Sequence, residues 1–185
     1  MRITGGKRRG LYLKEVTIAG VRPTKSMVRE AVFNVLGLER LTEAVVADLF
    51  AGTGIMTLEA LSRGAAEVWC VDREARCCTM IRQHLERAGF SDLAHVVHAP
   101  ASTFITAQGA VNRRFDLIFM DPPYQSGLQD RCLYLIAKEK ILSPHGVLVV
   151  EHDYRYSVSP CPPLMVWKVK RYGHSSVTFM ICQEE

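Results

Sequence analysis

The chain has 185 residues, 48% of them hydrophobic and 23% charged, which predicts one packed globular domain with room for a small appendage. Its longest apolar runs are far too short to span a bilayer, and no apolar stretch follows the basic N-terminus, so we expect neither a membrane protein nor a secretory signal, and the cytoplasm is the expected location. The six cysteines form no Cys-x-x-Cys pair, so neither a disulfide framework nor a metal site is expected.

Positive charge is concentrated at the start of the chain. Residues 1–40 hold nine Lys or Arg against three Glu, a net charge of +6 in a chain whose total is +4. A basic end on a near-neutral body is typical of a surface that binds a polyanion, although a solvated basic surface would have the same composition. The adjacent residues Lys7, Arg8 and Arg9, on a turn flanked by glycine, are the candidates for that contact.

The same 40 residues predict a structure of their own. Short segments broken by Gly-rich turns predict a hairpin-like extension with strands Arg2–Thr4, Leu11–Leu13 and Val16–Ile18. A helix should follow, because apolar residues recur at helical spacing from Val28 to Leu36. We therefore predict an N-terminal hairpin and helix extension over residues 1–40 and a main domain over residues 41–185.

Strand and helix patterns alternate from residue 44 onward. The predicted elements are strands Val45–Phe50, Glu67–Val71, Ala94–His98, Phe115–Met120 and Gly146–Glu151, helices Ile55–Arg63, Arg73–Ala88 and Leu128–Leu142, and closing strands Met165–Arg171 and Ser175–Cys182. This alternation predicts an α/β fold, with a mostly parallel sheet between helices and one antiparallel strand from the closing hairpin. Such sheets bind ligands at the carboxyl ends of their strands.

A glycine loop follows the first of these strands, in Asp48-Leu49-Phe50-Ala51-Gly52-Thr53-Gly54. Gly52 and Gly54 allow a tight turn and a close approach of ligand to the amides that open the next helix. A nicotinamide-type fingerprint would need a third glycine, where Thr57 stands. Asp48 would repel a pyrophosphate but can accept hydrogen bonds from a cationic amino acid. The loop therefore favours S-adenosylmethionine over a dinucleotide.

The second strand ends at Asp72, about twenty residues after the glycine loop. A carboxylate at this place suits the two hydroxyls of an adenosine ribose. The alternative is a helix N-cap for the segment that follows. Because Asp48 and the two glycines stand in register with it, we favour ribose binding.

The fourth strand runs into Asp121-Pro122-Pro123-Tyr124, the most specific motif of the sequence. Two prolines stiffen the turn, so the Asp121 carboxylate and a main-chain carbonyl are held at a set spacing. Both groups accept hydrogen bonds, and an exocyclic base amine donates two. Tyr124 offers a ring on which a base can stack. The motif therefore predicts a site that holds a base amine towards a methyl donor, and the alternative is a rigid turn with a capping Asp.

The order of these motifs resembles that of S-adenosylmethionine-dependent methyltransferases that act on base amines. Nearer still, the chain resembles the RsmD family of 16S rRNA guanine-N2 methyltransferases. The resemblance rests on the following segments: RITGGKRRG, RPT with VREAVFNVL, DLFAGTG with LEALSRGA, DPPY, and RYG near the end. These cover the chain almost end to end.

The resemblance implies a Rossmann-like sheet of seven strands and methylation of a guanine in the small ribosomal subunit or its assembly intermediate. It assigns the cofactor to Asp48, Gly52, Gly54 and Asp72, with Arg22, Pro23 and Thr24 at the border of the pocket. It assigns the base to residues 121–124. After the third strand the family has a polar side chain for adenine, whereas this chain has His98-Ala99-Pro100-Ala101-Ser102. Adenine recognition should then use the main chain near Ala101, or Ser102.

The expected activity is methyl transfer from S-adenosylmethionine to guanine N2 of 16S rRNA by a monomer, with Lys7, Arg8 and Arg9 contacting the RNA. DNA adenine-N6 methylation is one alternative, because the same Asp-Pro-Pro-Tyr motif serves that chemistry. A non-catalytic RNA-binding assembly factor is another. A nicotinamide oxidoreductase is disfavoured by Asp48 and Thr57.

Overall fold

The computed structural model describes residues 1–14, 26–123 and 127–183. The chain folds into two compact units, Met1–Pro100 and Ala101–Glu185. The boundary that the sequence predicts near residue 40 stays a prediction.

The first unit alternates helices with parallel strands. Its elements are α1 (Ser26–Leu36), β1 (Val45–Asp48), α2 (Ile55–Ser62), β2 (Glu67–Asp72), α3 (Ala75–Ala88) and β3 (Ala94–His98). β2 pairs in parallel with both β1 and β3. Helix α2 is buried along nearly its whole length, so its apolar sequence has no polar face. By contrast α3 is amphipathic and ends at Gly89, whose φ of 72° lets the helix stop in a left-handed turn.

The second unit ends in an antiparallel hairpin. Its elements are α4 (Ala101–Ala110), β4 (Phe115–Met120), α5 (Leu128–Glu139), β5 (Leu142–Asp153), β6 (Leu164–Tyr172) and β7 (Ser175–Cys182). β4 pairs in parallel with β5, and β7 lies antiparallel to both β5 and β6. The seven strands have the order β3-β2-β1-β4-β5-β7-β6 in one sheet. The α/β class, the seven-stranded sheet and its one antiparallel strand are confirmed.

The first 14 residues form a hairpin-like loop with little regular strand. One antiparallel β-bridge joins Arg2 to Tyr12, and a 3-10 turn covers Gly6–Arg8. The predicted strands Arg2–Thr4 and Leu11–Leu13 are therefore reduced to this bridge, because Gly6 and Gly10 turn the chain with positive φ between them. The predicted strand Val16–Ile18 lies outside the described residues.

Several predicted bounds are wrong by a few residues, and one helix was not predicted. The fifth helix ends at Glu139 rather than at Leu142, because Lys140 takes a left-handed φ of 51° and the chain then enters β5. Helix α4 was missed because it buries just Ala101, Phe104 and Ile105 and therefore has a weak apolar pattern. The predicted bounds of β3, β4 and β7 agree with the structure, and the remaining bounds differ by at most two residues, except that β5 begins four residues before its predicted start.

None of the described helices is long and apolar enough to cross a membrane. Within the described parts of the chain no three His, Cys, Asp or Glu side chains are placed to hold a metal ion together. All six cysteines are free thiols, four of them buried.

Candidate active site

The glycine loop that follows β1 is held against α3. Gly52 and Gly54 both have positive φ, 52° and 75°, a conformation that L side chains rarely adopt. A Cβ at Gly54 would also lie 3.0 Å from Cγ1 of Ile81, so a larger residue would push the loop away from the helix. The backbone N–H of Gly54 donates to the Ala51 carbonyl over 2.7 Å, which closes the turn. The two glycines are thus required by the geometry of the loop.

Asp48 is buried beneath this loop. The residue is 4% exposed, and its Oδ2 accepts a hydrogen bond of 2.8 Å from the hydroxyl of Thr57. Burial raises the pKa of Asp48 to about 7, the Thr57 hydrogen bond opposes this rise, and the negative charge of Asp72 adds to it. Near neutral pH the carboxyl is therefore divided between its two forms. A cation placed beside Asp48 would lower its pKa and favour the ionised carboxylate.

Thr57 has two consequences for the site. It occupies the position where a dinucleotide loop would have glycine, and its side chain is fully buried against Asp48. The hydroxyl therefore orients the carboxyl and stabilises its charged form. In the sequence Thr57 indicates only that a nicotinamide fingerprint is absent. Its hydrogen bond to Asp48 becomes apparent in the tertiary structure.

Asp72 joins the glycine loop to the start of α3. One carboxylate oxygen accepts the backbone N–H of Gly52 and the other accepts that of Glu74, each over 2.8 Å. Glu74 is the N-cap residue of α3 and this helix start has no side-chain capping hydrogen bond, so Asp72 bonds the residue before the helix and does not cap it. Each oxygen retains a second lone pair, and Asp72 is half-buried, so the carboxylate can also accept a ligand hydroxyl. Its predicted contact with a ribose stays a prediction.

The other predicted cofactor residues are placed unevenly. Ala101 is the first residue of α4 and is buried. The first N–H groups of a helix have no acceptor within it, so the main chain at this end can donate to a ligand. Ser102, beside it, is half-buried. Arg22, Pro23 and Thr24 lie outside the described residues, and their predicted role stays a prediction.

The Asp-Pro-Pro turn begins where β4 ends. Met120, the last residue of the strand, is buried, Asp121 is half-buried, Pro122 is buried and Pro123 is exposed. Consecutive prolines fix φ at two positions, which limits how far the Asp121 carboxyl can move relative to the main chain. Tyr124 lies outside the described residues, so its stacking role stays a prediction.

A buried carboxylate in α2 escaped the sequence-based assignment. Glu59 is fully buried and accepts hydrogen bonds from the N–H and the hydroxyl of Thr4, over 2.7 and 2.8 Å. It also pairs with two guanidinium groups, those of Arg29 and Arg63. Its location was readable in part, since a lone acidic residue in an otherwise apolar helix needs buried partners. Glu59 thus fastens the N-terminal segment to α1 and α2.

His84 makes a second connection between the N-terminal segment and the loop. The imidazole is 5% exposed, and its ring nitrogens lie 3.0 Å from two carbonyl oxygens, those of Thr53 and Lys14. Thr53 lies between the two loop glycines. Residue 14 is thus tied through α3 to the cofactor-loop candidate, and no feature of the sequence indicated this.

The predicted RNA-binding residues differ in their contacts. The Arg8 backbone N–H donates to Ser62 Oγ over 2.9 Å, and its Nε donates to the Ala88 carbonyl over 2.7 Å. The Arg8 guanidinium also lies 5.9 Å from the ring centre of Phe90. Arg8 therefore fastens the loop to the body, whereas Lys7 and Arg9 are exposed side chains on the same turn.

Comparison with known proteins places this arrangement in a family. A family model described as Conserved hypothetical protein 95 matches residues 1–181. Ribosomal RNA small subunit methyltransferase D of Escherichia coli (strain K12) is 30% identical over 162 residues, which are 88% of this chain and 79% of that protein. The chain belongs to the RsmD family.

Two further similarities extend over nearly the whole chain. The YlbH protein of Bacillus subtilis (strain 168) is 33% identical over 178 residues, 96% of each sequence. The solved structure of the yhhF protein of Escherichia coli has a TM-score of 0.87 at 25% identity, and the match covers 100% of this chain and 99% of that one. The family predicted from the sequence is confirmed, and the chain is a methyltransferase.

Proposed function

We propose that the chain transfers a methyl group from S-adenosylmethionine to the exocyclic N2 of a guanine in 16S rRNA, on the small ribosomal subunit or its assembly intermediate. The observation that carries the proposal is the Asp121-Pro122-Pro123 turn directly after the buried strand β4. The similarity to the Escherichia coli ribosomal RNA small subunit methyltransferase D supports RNA as the substrate. We further propose that the protein acts as a monomer in the cytoplasm.

The residues of the first unit suit S-adenosylmethionine. Asp48 is a buried carboxyl whose pKa is about 7, so a cationic amino group beside it would stabilise the ionised form and gain a counter-charge. The glycine loop presents backbone amides, and Asp72 retains acceptor capacity for a hydroxyl. When bound, S-adenosylmethionine supplies a methyl group on a positively charged sulfur. The loop, Asp48 and Asp72 bind and orient it, and Arg22, Thr24 and the main chain at Ala101 complete the proposed site.

The turn after β4 positions the acceptor. The Asp121 carboxylate and the Pro122 carbonyl accept hydrogen bonds from the two N–H groups of the guanine amine. These bonds withdraw the nitrogen lone pair from conjugation with the ring and direct it towards the methyl donor. With the cofactor held by Asp48 and Asp72, its methyl group would be supplied to this nitrogen, leaving S-adenosylhomocysteine, and one amine proton would leave to Asp121 or to water. Tyr124 stacks on the base once it has been flipped out of its surroundings. Positioning accounts for most of the acceleration.

Methyl transfer from tritium-labelled S-adenosylmethionine to naked 16S rRNA, small subunits and DNA tests the substrate. We expect label in the guanine of rRNA or of subunits and none in DNA. Label in DNA adenine would instead establish the alternative chemistry of the Asp-Pro-Pro-Tyr motif. If none of the three substrates becomes labelled although the protein still binds RNA, the chain is a non-catalytic assembly factor.

The Asp121→Ala variant tests the role of the turn. Transfer should fall by far more than tenfold while calorimetric binding of S-adenosylhomocysteine persists, because Asp121 is assigned to the base. The matched control is Asp130→Ala, which removes an exposed carboxylate from the first turn of α5 and should leave transfer unchanged. Activity of Asp121→Ala within tenfold of the parent would contradict the assignment.

A further inference from the structure

The surface around β6 is basic and aromatic, and nothing in the assigned site uses it. Between Tyr154 and His174 the sequence has four Lys or Arg and no Asp or Glu. The same stretch has four aromatic residues, Tyr154, Tyr156, Trp167 and Tyr172. We define the β6 surface as Tyr154, Trp167, Lys168, Lys170 and Arg171. Charge of one sign together with aromatic rings is the composition of surfaces that bind single-stranded nucleic acid.

Three cations of this surface are available to a ligand. Arg155 is neutralised by Asp153, to which its guanidinium donates two hydrogen bonds of 2.8 and 2.9 Å. Among the described residues Lys168, Lys170 and Arg171 form no such ion pair with a carboxylate. The local charge is therefore about +3 after pairing. A polyanion would supply the missing counter-charges.

These cations lie on both faces of an edge strand. β6 is last in the strand order of the sheet. Lys168 and Lys170 stand opposite Phe179 and Val177 of β7, so they share a face, whereas Arg171 stands opposite Ser176 on the other face. Arg171 also lies 4.0 Å from the ring centre of Tyr154. Cations on both sides of one edge suit a strand-like ligand that follows the edge.

A β-bulge presents an exposed tryptophan at the same edge. The pairing of β6 with β7 shifts between Val166 and Lys168, so Trp167 is the extra residue of the bulge. Its indole packs at 82° to the buried Phe179 ring, with the ring centres 6.1 Å apart, and 40% of the residue stays exposed. The Lys168 ammonium lies 5.8 Å from the indole centre. The ring is thus anchored against Phe179 while part of the residue stays exposed.

Protection of the edge would explain only part of this arrangement. Lysines and a bulge at an edge strand prevent pairing with a second chain. The exposed Trp167, Met165 and Val169 do not serve this protection, because exposed apolar surface favours association with a second chain. A base stacked on Trp167, with phosphates held by the cations, uses both features.

We propose that the β6 surface binds unpaired nucleotides of the rRNA substrate outside the site that holds the target guanine. The proposal rests on the function proposed above. Bases stack on Trp167, and Lys168, Lys170 and Arg171 contact the phosphates that flank them. The surface belongs to the second unit, whereas the contact predicted at Lys7 and Arg9 belongs to the first.

Tryptophan fluorescence gives a direct test, because the chain has two tryptophans. In a Trp69→Phe background Trp167 is the one remaining indole, and a single-stranded oligoribonucleotide of mixed sequence should quench its emission. Trp167→Phe should keep most of the RNA affinity and Trp167→Leu should lose it, since leucine fills volume but offers no ring. Absence of quenching, or equal affinity of the Phe and Leu variants, would overturn the stacking contact.

The phosphate contacts are tested by salt dependence. In Lys168→Ala/Lys170→Ala/Arg171→Ala the log–log slope of RNA affinity against salt should become shallower by about 2, since each contact to a single strand contributes roughly 0.7. The matched control, Arg76→Ala/Arg87→Ala/Arg131→Ala, removes three exposed cations from helices and should keep the slope. An equal loss of slope in both would overturn the proposal and indicate a general effect of net charge. Thermal melting of each variant verifies that it is folded.

Two further readouts separate the alternatives. Sedimentation velocity compares the parent with Lys168→Ala/Lys170→Ala/Arg171→Ala, the β6 variant. A parent dimer that dissociates in the β6 variant, with unchanged RNA binding, would make the surface an interface between copies of the chain and overturn the proposal. Methyl transfer by the unsubstituted chain is scored separately. Transfer by the parent with RNA binding unchanged in the β6 variant overturns this inference alone. Absence of transfer by the parent overturns the proposed activity, while the RNA-binding slopes still decide the surface.

Discussion

The buried carboxyl of Asp48 makes the stability of the ligand-free chain depend on pH. Its pKa is about 7 in the folded chain against 3.8 ordinarily, because burial penalises the charge. Between these values the folded chain holds a proton that the unfolded chain has released, so raising the pH favours unfolding. Stability from this group is complete below about pH 4 and is lost as the pH rises through about 7. One pKa unit corresponds to about 1.4 kcal/mol, so the loss is on the order of 4 kcal/mol.

The Asp48→Asn variant isolates this contribution. Asparagine keeps an oxygen that can accept the Thr57 hydroxyl but has no ionisable proton, so the pH-dependent loss should disappear. Urea unfolding of the parent and the variant at pH 5, 6, 7 and 8 gives the difference between their free energies of unfolding at each pH. Over this range that difference should move in favour of the variant by roughly 2.5–3 kcal/mol, because about two of the three pKa units lie above pH 5. Taking the difference cancels the carboxylates that both proteins share.

Thr57→Val sharpens the test. Removing the hydroxyl removes the hydrogen bond that lowers the Asp48 pKa, so the loss of stability should extend to higher pH than in the parent. The Asp48→Asn/Thr57→Val double variant should show no pH-dependent difference from Asp48→Asn. Parallel pH profiles for the parent and Asp48→Asn would refute the reasoning, since the carboxyl would then ionise in the folded chain as it does in the unfolded one.

Three further changes test the first unit. Asp72→Ala should weaken calorimetric binding of S-adenosylhomocysteine by about 1.5–3 kcal/mol, the range for charge-assisted hydrogen bonds, and an unchanged dissociation constant would leave Asp72 only its structural contacts with Gly52 and Glu74. Lys7→Ala/Arg9→Ala should flatten the salt dependence of rRNA binding at unchanged melting temperature, whereas Arg8→Ala should lower that temperature; the reverse pattern would contradict the contacts of Arg8. Glu59→Gln should cost about 3–5 kcal/mol in urea unfolding because it leaves buried guanidinium charge uncompensated, and a loss under about 1 kcal/mol would count against the ion-pair cluster.

The placement of strands and helices followed well from local patterns. The bounds Ala94–His98, Phe115–Met120 and Ser175–Cys182 agree with the structure residue for residue, because runs rich in β-branched or aromatic residues and bounded by turn signals mark strands. Helix α4 was not predicted, since a helix that buries three side chains has little periodicity to detect. Helix α5 ends earlier than predicted because Lys140 adopts a left-handed φ, and a lysine in the sequence does not indicate such a conformation.

The candidate site was predictable where chemistry is carried by adjacent residues. The glycine loop and the Asp-Pro-Pro turn are contiguous motifs, so their sequence fixes both the residue types and their spacing along the chain. Asp72 was assigned by its place at the end of a strand, but its two backbone partners, Gly52 and Glu74, became visible once the strand and loop were brought together. Its ribose contact stays a prediction.

Sequence alone determined the alternation of elements, the family and the two contiguous motifs, because each depends on neighbouring residues or on a regular repeat. Tertiary structure decided the ionisation of Asp48, the cluster around Glu59 and the bridge made by His84 between Thr53 and Lys14. Burial and hydrogen bonding join groups far apart along the chain, 70 residues in the case of His84 and Lys14 and 80 in that of Arg8 and Ala88. A local pattern carries no record of such distances, so these properties arise when the chain has folded.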